Sequence, residues 1–221
     1  MLDGDALLDL YQRGRAGDAL GRAALLGRAA AGAGAETLPL GELDRRIWAL
    51  RTRLLADMAR PAACDEAVCT CPACGARLEF TLPADFAPPP AVAQTVAVEW
   101  QGKTHMLRPP CLADFGPQGL RLQALGTAPW HDPGFAALAA EALQAADPAL
   151  GLTLAMDCPE CGAALDEGFD PAAWLWAEIE DMARGLLDEV VRLARAFGWS
   201  EREILAMPPA RRALYLAEVA P

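Results

Sequence analysis

The strongest periodicity in the chain lies near its C-terminus. Leu175, Ile179, Met182, Leu186, Val190, Leu193 and Phe197 follow one another at three- and four-residue steps, with Glu178, Asp181, Asp188, Glu189, Arg192 and Arg195 on the other faces. That spacing predicts one long amphipathic helix. Asp170-Pro171 supplies an N-cap and a first-turn proline, and Gly198 a stop. Ser200 and Glu203 form a capping box for a short helix, and Pro208-Pro209 opens a last one carrying Leu214, Leu216 and Val219. A second stripe, Leu43, Ile47, Leu50, Leu54 and Met58, predicts a helix over residues 41–60 that Pro61 ends. Its other side holds Arg45, Arg46, Arg51 and Arg53, which reads as a solvated face, with a partner-binding face as the alternative. Short leucine stripes precede it, then a Gly/Ala stretch over residues 29–35 that reads as a loose link.

The middle of the chain has a different period. Residues 77–82 alternate, with Leu78 and Phe80 on one face, and Pro88-Pro89-Pro90 is a stiff break. Val96, Val98 and Trp100 alternate into a hairpin turn at Gln101-Gly102-Lys103. An Ala-rich helix is expected over residues 133–146, closed by Asp147-Pro148, and Leu150, Leu152, Leu154 and Met156 alternate again. The fold class expected is therefore α+β. Helical N- and C-terminal parts, residues 1–60 and 171–221, flank a small β module with a helical insertion, residues 61–170.

The chemistry sits where the alternating segments end. Cys71-Pro72-Ala73-Cys74-Gly75 and Cys158-Pro159-Glu160-Cys161-Gly162 are two copies of one pattern, one followed by a strand and the other preceded by one. The two-residue spacing lets both sulfurs of a tight turn converge on one ion, and the glycine accepts positive φ. Two such knuckles supply the four thiolates of a structural zinc site, so Cys71, Cys74, Cys158 and Cys161 are the expected ligands of Zn2+. A rubredoxin-like iron site, an oxidised pair and a lost site are the alternatives. Cys64 or Cys69 could add a ligand, but Cys71 matches the second knuckle's spacing; Cys111 reads as a small buried or capping residue. With 83 residues between Cys74 and Cys158, the metal would act as a long-range crosslink. Loop entropy alone makes that worth roughly 4 kcal/mol, and direct ligation adds more. Four thiolates leave no open coordination position, so the metal itself is not expected to catalyse. His105 and His131 read as surface or hydrogen-bonded residues, and no nucleophile elbow, phosphate loop or dinucleotide fingerprint occurs. The chain is not expected to be an enzyme.

Composition and charge narrow the class further. The 221 residues are 53% hydrophobic and 22% charged, as in a globular protein. The acidic start and the absence of a long apolar run argue against a signal peptide or a membrane span, and seven cysteines argue for reduced thiols in a bacterial cytoplasm. The formal charge of −11 is concentrated in residues 61–170, where 14 acidic residues face 4 basic ones. A zinc ribbon that holds nucleic acid should carry the opposite sign there, so nucleic acid is not expected as a partner. The acidity reads as a solvated surface, with a docking face for a basic partner as the alternative.

Taken together, these segments resemble a known family. An Arg-flanked helix leads into the first knuckle and Leu78-Glu79-Phe80. The second knuckle leads to Trp174-Leu175-Trp176-Ala177-Glu178-Ile179-Glu180, and the chain closes with Phe197-Gly198-Trp199-Ser200-Glu201 and Arg211-Arg212-Ala213-Leu214-Tyr215-Leu216. Over roughly residues 38–82 and 150–219 this is similar to the T4-type phage baseplate proteins of contractile tails and phage-tail-like injection systems. The resemblance implies an accessory or assembly role at a baseplate hub, with hub proteins as partners, no small-molecule substrate and no catalytic residues. The protein would act in the cytoplasm, whether as a transient chaperone or as part of the finished particle. Six successive apolar residues, 172–177, exceed what one neighbouring helix can cover, so one of Trp174 and Trp176, with the segment around Trp199 and Tyr215, is the expected partner contact. The competing readings are a zinc-ribbon nucleic-acid or transcription adaptor and a dithiol oxidoreductase. The latter needs an accessible cysteine pair opening a helix, whereas these pairs abut strands.

Overall fold

A computed structural model of the chain describes residues 4–57, 66–83 and 85–219. Three helices, α1 (Gly4–Gly14), α2 (Ala19–Ala31) and α3 (Leu40–Asp57), precede the hairpin β1 (Glu66–Thr70) and β2 (Arg77–Thr81). A second hairpin, β3 (Val96–Trp100) and β4 (Lys103–Leu107), is followed by the two-residue strands β5 (Phe115–Gly116) and β6 (Gly119–Leu120) and by α4 (Pro133–Ala146). The hairpin β7 (Thr153–Asp157) and β8 (Ala164–Gly168) then leads into α5 (Pro171–Phe197), α6 (Glu201–Leu205) and α7 (Pro209–Glu218). The four sheets among the described residues are all two-stranded and antiparallel, so the fold is α+β. No described helix is long and apolar enough to cross a membrane. The expected last turn of the second helix, with Met58 and Pro61, lies outside the described residues, as does Cys64.

Helices from the two ends of the chain share one core. Leu7, Leu10, Leu26, Leu43, Ile47 and Leu54 pack with Leu175, Trp176, Ile179, Met182 and Leu186. Asp170 caps α5 by accepting from the N–H groups of Ala172 and Ala173, and Gly198 ends it in the left-handed region. Trp176, expected as one of two candidate partner contacts, is instead buried at 4% exposure. Its indole stacks on Tyr11 at 6.1 Å between ring centroids, and the Arg22 guanidinium covers its ring. Gly14 makes this possible, since a Cβ there would lie 2.3 Å from the indole. At Trp176 the apolar excess of α5 is thus covered by α1 and α2, whereas Trp174 is half-buried. The arginines of α3 also depart from a solvated face. Arg51 is buried, and its guanidinium donates to both carboxylate oxygens of Glu178 on α5 at 2.6 to 3.0 Å. Arg46 stays at the surface, paired with Glu42.

The insertion between the two cysteine hairpins carries its own core. Val98, Leu107, Leu125, Trp130, Phe135, Ala139 and Leu143 pack α4 against β3 and β4, and Gln101 and Gly102 turn the hairpin with φ of 49° and 74°. His105 belongs to this unit: its Nδ1 lies 3.1 Å from the Thr127 carbonyl, and its ring meets Phe135 edge-on. Cys111 is buried and begins a 3-10 turn, Leu112–Asp114, where Asp114 accepts from its N–H and from both terminal nitrogens of Arg108. The insertion is tied to α3 by Arg45, which reaches both oxygens of the buried Asp147 at 2.8 and 3.1 Å and the Pro89 carbonyl at 2.8 Å. Gly41 leaves room for that carboxylate, since a Cβ would sit 2.3 Å from it.

Two outcomes follow from these contacts. The Trp176 Nε1 is buried without a hydrogen-bond partner among the described residues. Trp176→Ala should therefore cost about 3–5 kcal/mol of stability, whereas Trp176→Phe keeps an aromatic ring, removes the orphaned donor and should cost under about 2 kcal/mol. Denaturant titration of the two variants measures the difference. Asp44, on α3, has its carboxyl pushed up to about 7 by burial and by Asp170 and Asp147. A folded-state pKa above the unfolded value means the native chain binds more protons from about pH 4 to 7, so stability falls as pH rises through that window. Asp44→Asn should then raise stability at pH 8 by on the order of 2 kcal/mol and change little at pH 4, read from melting curves at both values.

Candidate metal centre

Each cysteine turn is the bend of a hairpin rather than the end of a single strand. The ladder of β1 and β2 closes with Thr70 opposite Arg77, and that of β7 and β8 with Asp157 opposite Ala164. Within the bends the bonding is the same. The Cys71 N–H donates to Ala76 O and Gly75 N–H to Cys71 O; Cys158 N–H donates to Ala163 O and Gly162 N–H to Cys158 O, all at 2.8 to 2.9 Å. Gly75 and Gly162 have φ of 74° and 71°, which is the conformation that favours glycine. Every counterpart is displaced by the same 87 residues, Cys71 to Cys158, Cys74 to Cys161 and Leu78 to Leu165, so the two hairpins are copies of one unit.

The copies meet face to face through sulfur. The Sγ atoms of Cys71, Cys74, Cys158 and Cys161 all lie within 4.8 Å of one another. Cys71 is 3.8 Å from Cys161 and Cys74 is 3.8 Å from Cys158. The pairing exchanges when the hairpins are exchanged, which is the signature of a local two-fold axis through the centre of the cluster. A tetrahedron whose vertices stand about 2.3 Å from its centre has edges of about 3.8 Å, so the sulfurs are spaced to surround one cation. The first cysteine of each pair is buried and the second exposed, which sets the cluster half in the surface.

Backbone N–H groups polarise the sulfurs. Those of Cys74 and Ala73 pull the Cys71 thiol down to about 7. The Ala76 N–H likewise lowers Cys74, but hydrogen bonds with Cys161 and the other thiols, together with burial, push it up to about 12. One site is therefore ready to ionise and its neighbour resists, as expected of like charges held close. Thiolates are soft donors, and the set fits zinc or iron in tetrahedral geometry with no position open to substrate.

Cys69, one turn of the pleat before Cys71, is buried but outside the cluster; its Sγ lies 4.0 Å from Met156 Sδ, the residue 87 positions later. The two are counterparts in the copies and pack beneath the cluster with Leu78 and Leu165. Cys111 is remote, in the insertion. Among the other expected site residues, Trp174 is half-buried against Trp48 and Phe169. Trp199 and Tyr215 are half-buried in an aromatic group with Phe197, with ring centroids 4.5 to 5.6 Å apart. Leu214, the residue before Tyr215, is 71% exposed. Sequence reasoning missed β1 and β8 as the second strand of each hairpin, although the constant displacement of the two copies would have located both.

Removing a ligand and removing a neighbour should differ. Cys71→Ser is expected to abolish metal retention and lower the melting temperature sharply. Cys69→Ala should keep the metal and cost about 1–2 kcal/mol for the lost packing. Elemental analysis and thermal melting of both purified variants make the comparison. No family model, no curated protein and no solved structure matches this chain.

Proposed function

We propose that the protein is a non-enzymatic, zinc-stabilised structural or assembly protein of a contractile phage tail or injection-system baseplate. The observation that carries the structural role is the convergence, from cysteine pairs with 83 residues between them, of four thiols spaced for one tetrahedral ion. Zinc there would be held by Cys71, Cys74, Cys158 and Cys161 and would supply crosslinking, since four thiolates leave it no free position for a substrate. The baseplate assignment is supported by the sequence resemblance over the helices and the cysteine segments. The partner surface fits the C-terminal end best, where Leu214, next in sequence to Tyr215, is exposed and Tyr215 packs with Phe197 and Trp199. Aromatic residues of this kind act as interface anchors because they bury large areas at low entropic cost. Around the cysteine hairpins, Arg77 lies 3.8 Å from Glu79, which leaves little free positive charge for phosphate and weighs against a nucleic-acid adaptor.

Protein purified under reducing conditions should contain about one zinc per chain. Co-expressed with the tail proteins encoded beside it, it should co-purify with a hub component. Leu214→Asp combined with Trp199→Ala should lose that partner while the zinc content stays unchanged. Full partner recovery by the double variant, or sub-micromolar binding to nucleic acid in a gel-shift assay, would count against this reading.

A further inference from the structure

The cluster has a second chemistry that a purely structural metal site does not require. Two of its sulfur contacts, Cys71 to Cys161 and Cys74 to Cys158, both at 3.8 Å, run between hairpins, and each joins a buried cysteine to an exposed one. A disulfide needs about 2.05 Å between sulfurs, so each pair must close by roughly 1.8 Å, a distance that rotation of two side chains can share. The exposed member is open to an oxidant and the buried member stands behind it as the resolving thiol. Because of the local two-fold, both pairs meet these conditions.

We propose that the tetrad is a redox-convertible staple, in which peroxide converts the four thiols into two disulfides between the hairpins, Cys71–Cys161 and Cys74–Cys158. In each pair the exposed sulfur, Cys161 or Cys74, which would be a thiolate while a cation is bound, attacks one peroxide oxygen. Its thiol becomes a sulfenic acid and one water leaves. The buried partner, Cys71 or Cys158, then attacks the sulfenic sulfur, the S–S bond forms and a second water leaves. Two thiols and one hydrogen peroxide thus give one disulfide and two waters, and two peroxides convert the tetrad. Once both pairs have closed no thiolate is left to hold a cation. The two hairpins nevertheless stay joined across the same long loop, so the crosslink outlives the metal. Closure within each turn, Cys71 to Cys74 and Cys158 to Cys161, would instead release the metal and part the hairpins.

This inference rests on the metal reading for its starting state but not for its pairing. The test treats the zinc-loaded protein with two equivalents of hydrogen peroxide, blocks remaining thiols and maps disulfides by mass spectrometry of proteolytic peptides. Zinc release is followed with a chromogenic chelator. The expected result is release of the zinc, peptides joined as Cys71–Cys161 and Cys74–Cys158, and three of the seven cysteines still alkylatable after unfolding. The oxidised, metal-free chain should also melt above the reduced, chelator-stripped chain. A Cys74→Ser, Cys158→Ser double variant, which lacks half the ligand set, should still form the single Cys71–Cys161 bond. Bonds confined to each turn, sulfinic acids in place of disulfides, or unreacted thiols would overturn the proposal. If the chain contains no zinc before oxidation, the metal reading fails while the pairing is still read from the same peptides.

Discussion

Four sulfurs within 4.8 Å of one another can all ionise only if a cation stands among them. At about 4 Å each pair of thiolates repels by about 4 kcal/mol even at an effective dielectric constant of 20, and four charges make six such pairs. Backbone N–H groups lower the Cys71 thiol, while hydrogen bonds with the other thiols help to push Cys74 up: without a cation, protons must remain to separate the charges. Nothing in either hairpin alone demands such crowding, because each has its own ladder and its own turn. The crowding is imposed by the way the copies are brought together, and the geometry makes sense when the charge is answered by a metal or removed by oxidation.

The rest of the chain places the two hairpins for that meeting. Leu82 follows the first and Phe169 the second, again 87 residues apart, and both are buried against Trp48 of α3 with Phe86 and Trp174. Trp48 donates its indole N–H to the Phe86 carbonyl, so the platform is held by a hydrogen bond as well as by packing. α3 is in turn fixed to α5 by Arg51 and Glu178 and to the insertion by Arg45 and Asp147, with Glu178 and Asp147 each bridged through two oxygens. Bidentate pairs of this kind fix orientation more than they add stability, because desolvating both charges offsets much of their attraction.

What was legible in the sequence is what local spacing controls. The stripe from Leu175 to Phe197, the caps at Asp170 and Ser200, the Ala-rich helix and the Gln101-Gly102 turn all depend on residues a few positions apart, and each element lies where the pattern puts it. The cysteine pairs are legible for the same reason. β1 and β8 were hidden because their inward positions hardly read as apolar: Cys69 fills one in β1, while β8 has a single buried Leu165 among acidic and small residues. The burial of Trp176 was not legible because it depends on Gly14, 162 positions away, whose missing side chain opens the slot. Arg51 illustrates the same limit, since a charged residue on a polar stripe reads as solvated until its carboxylate partner is known.

An insertion of this size between the halves of one site is physically inexpensive. Loop-closure entropy grows only with the logarithm of length, at about 0.6 kcal/mol per doubling. Lengthening a connection of about 20 residues to the 83 found here therefore costs on the order of 1 kcal/mol more. The condition is that the inserted segment have a core of its own, and Val98, Phe135 and Leu143 belong to one that contains no residue of the cysteine hairpins. Its attachments to the helical part include Arg45 with Asp147, the backbone bond from Leu40 N–H to Pro110 O, the bridge between Pro39 and Cys111, and Leu112, which is buried in the helical core. The insertion thus hangs from the helical body rather than from the sulfur cluster.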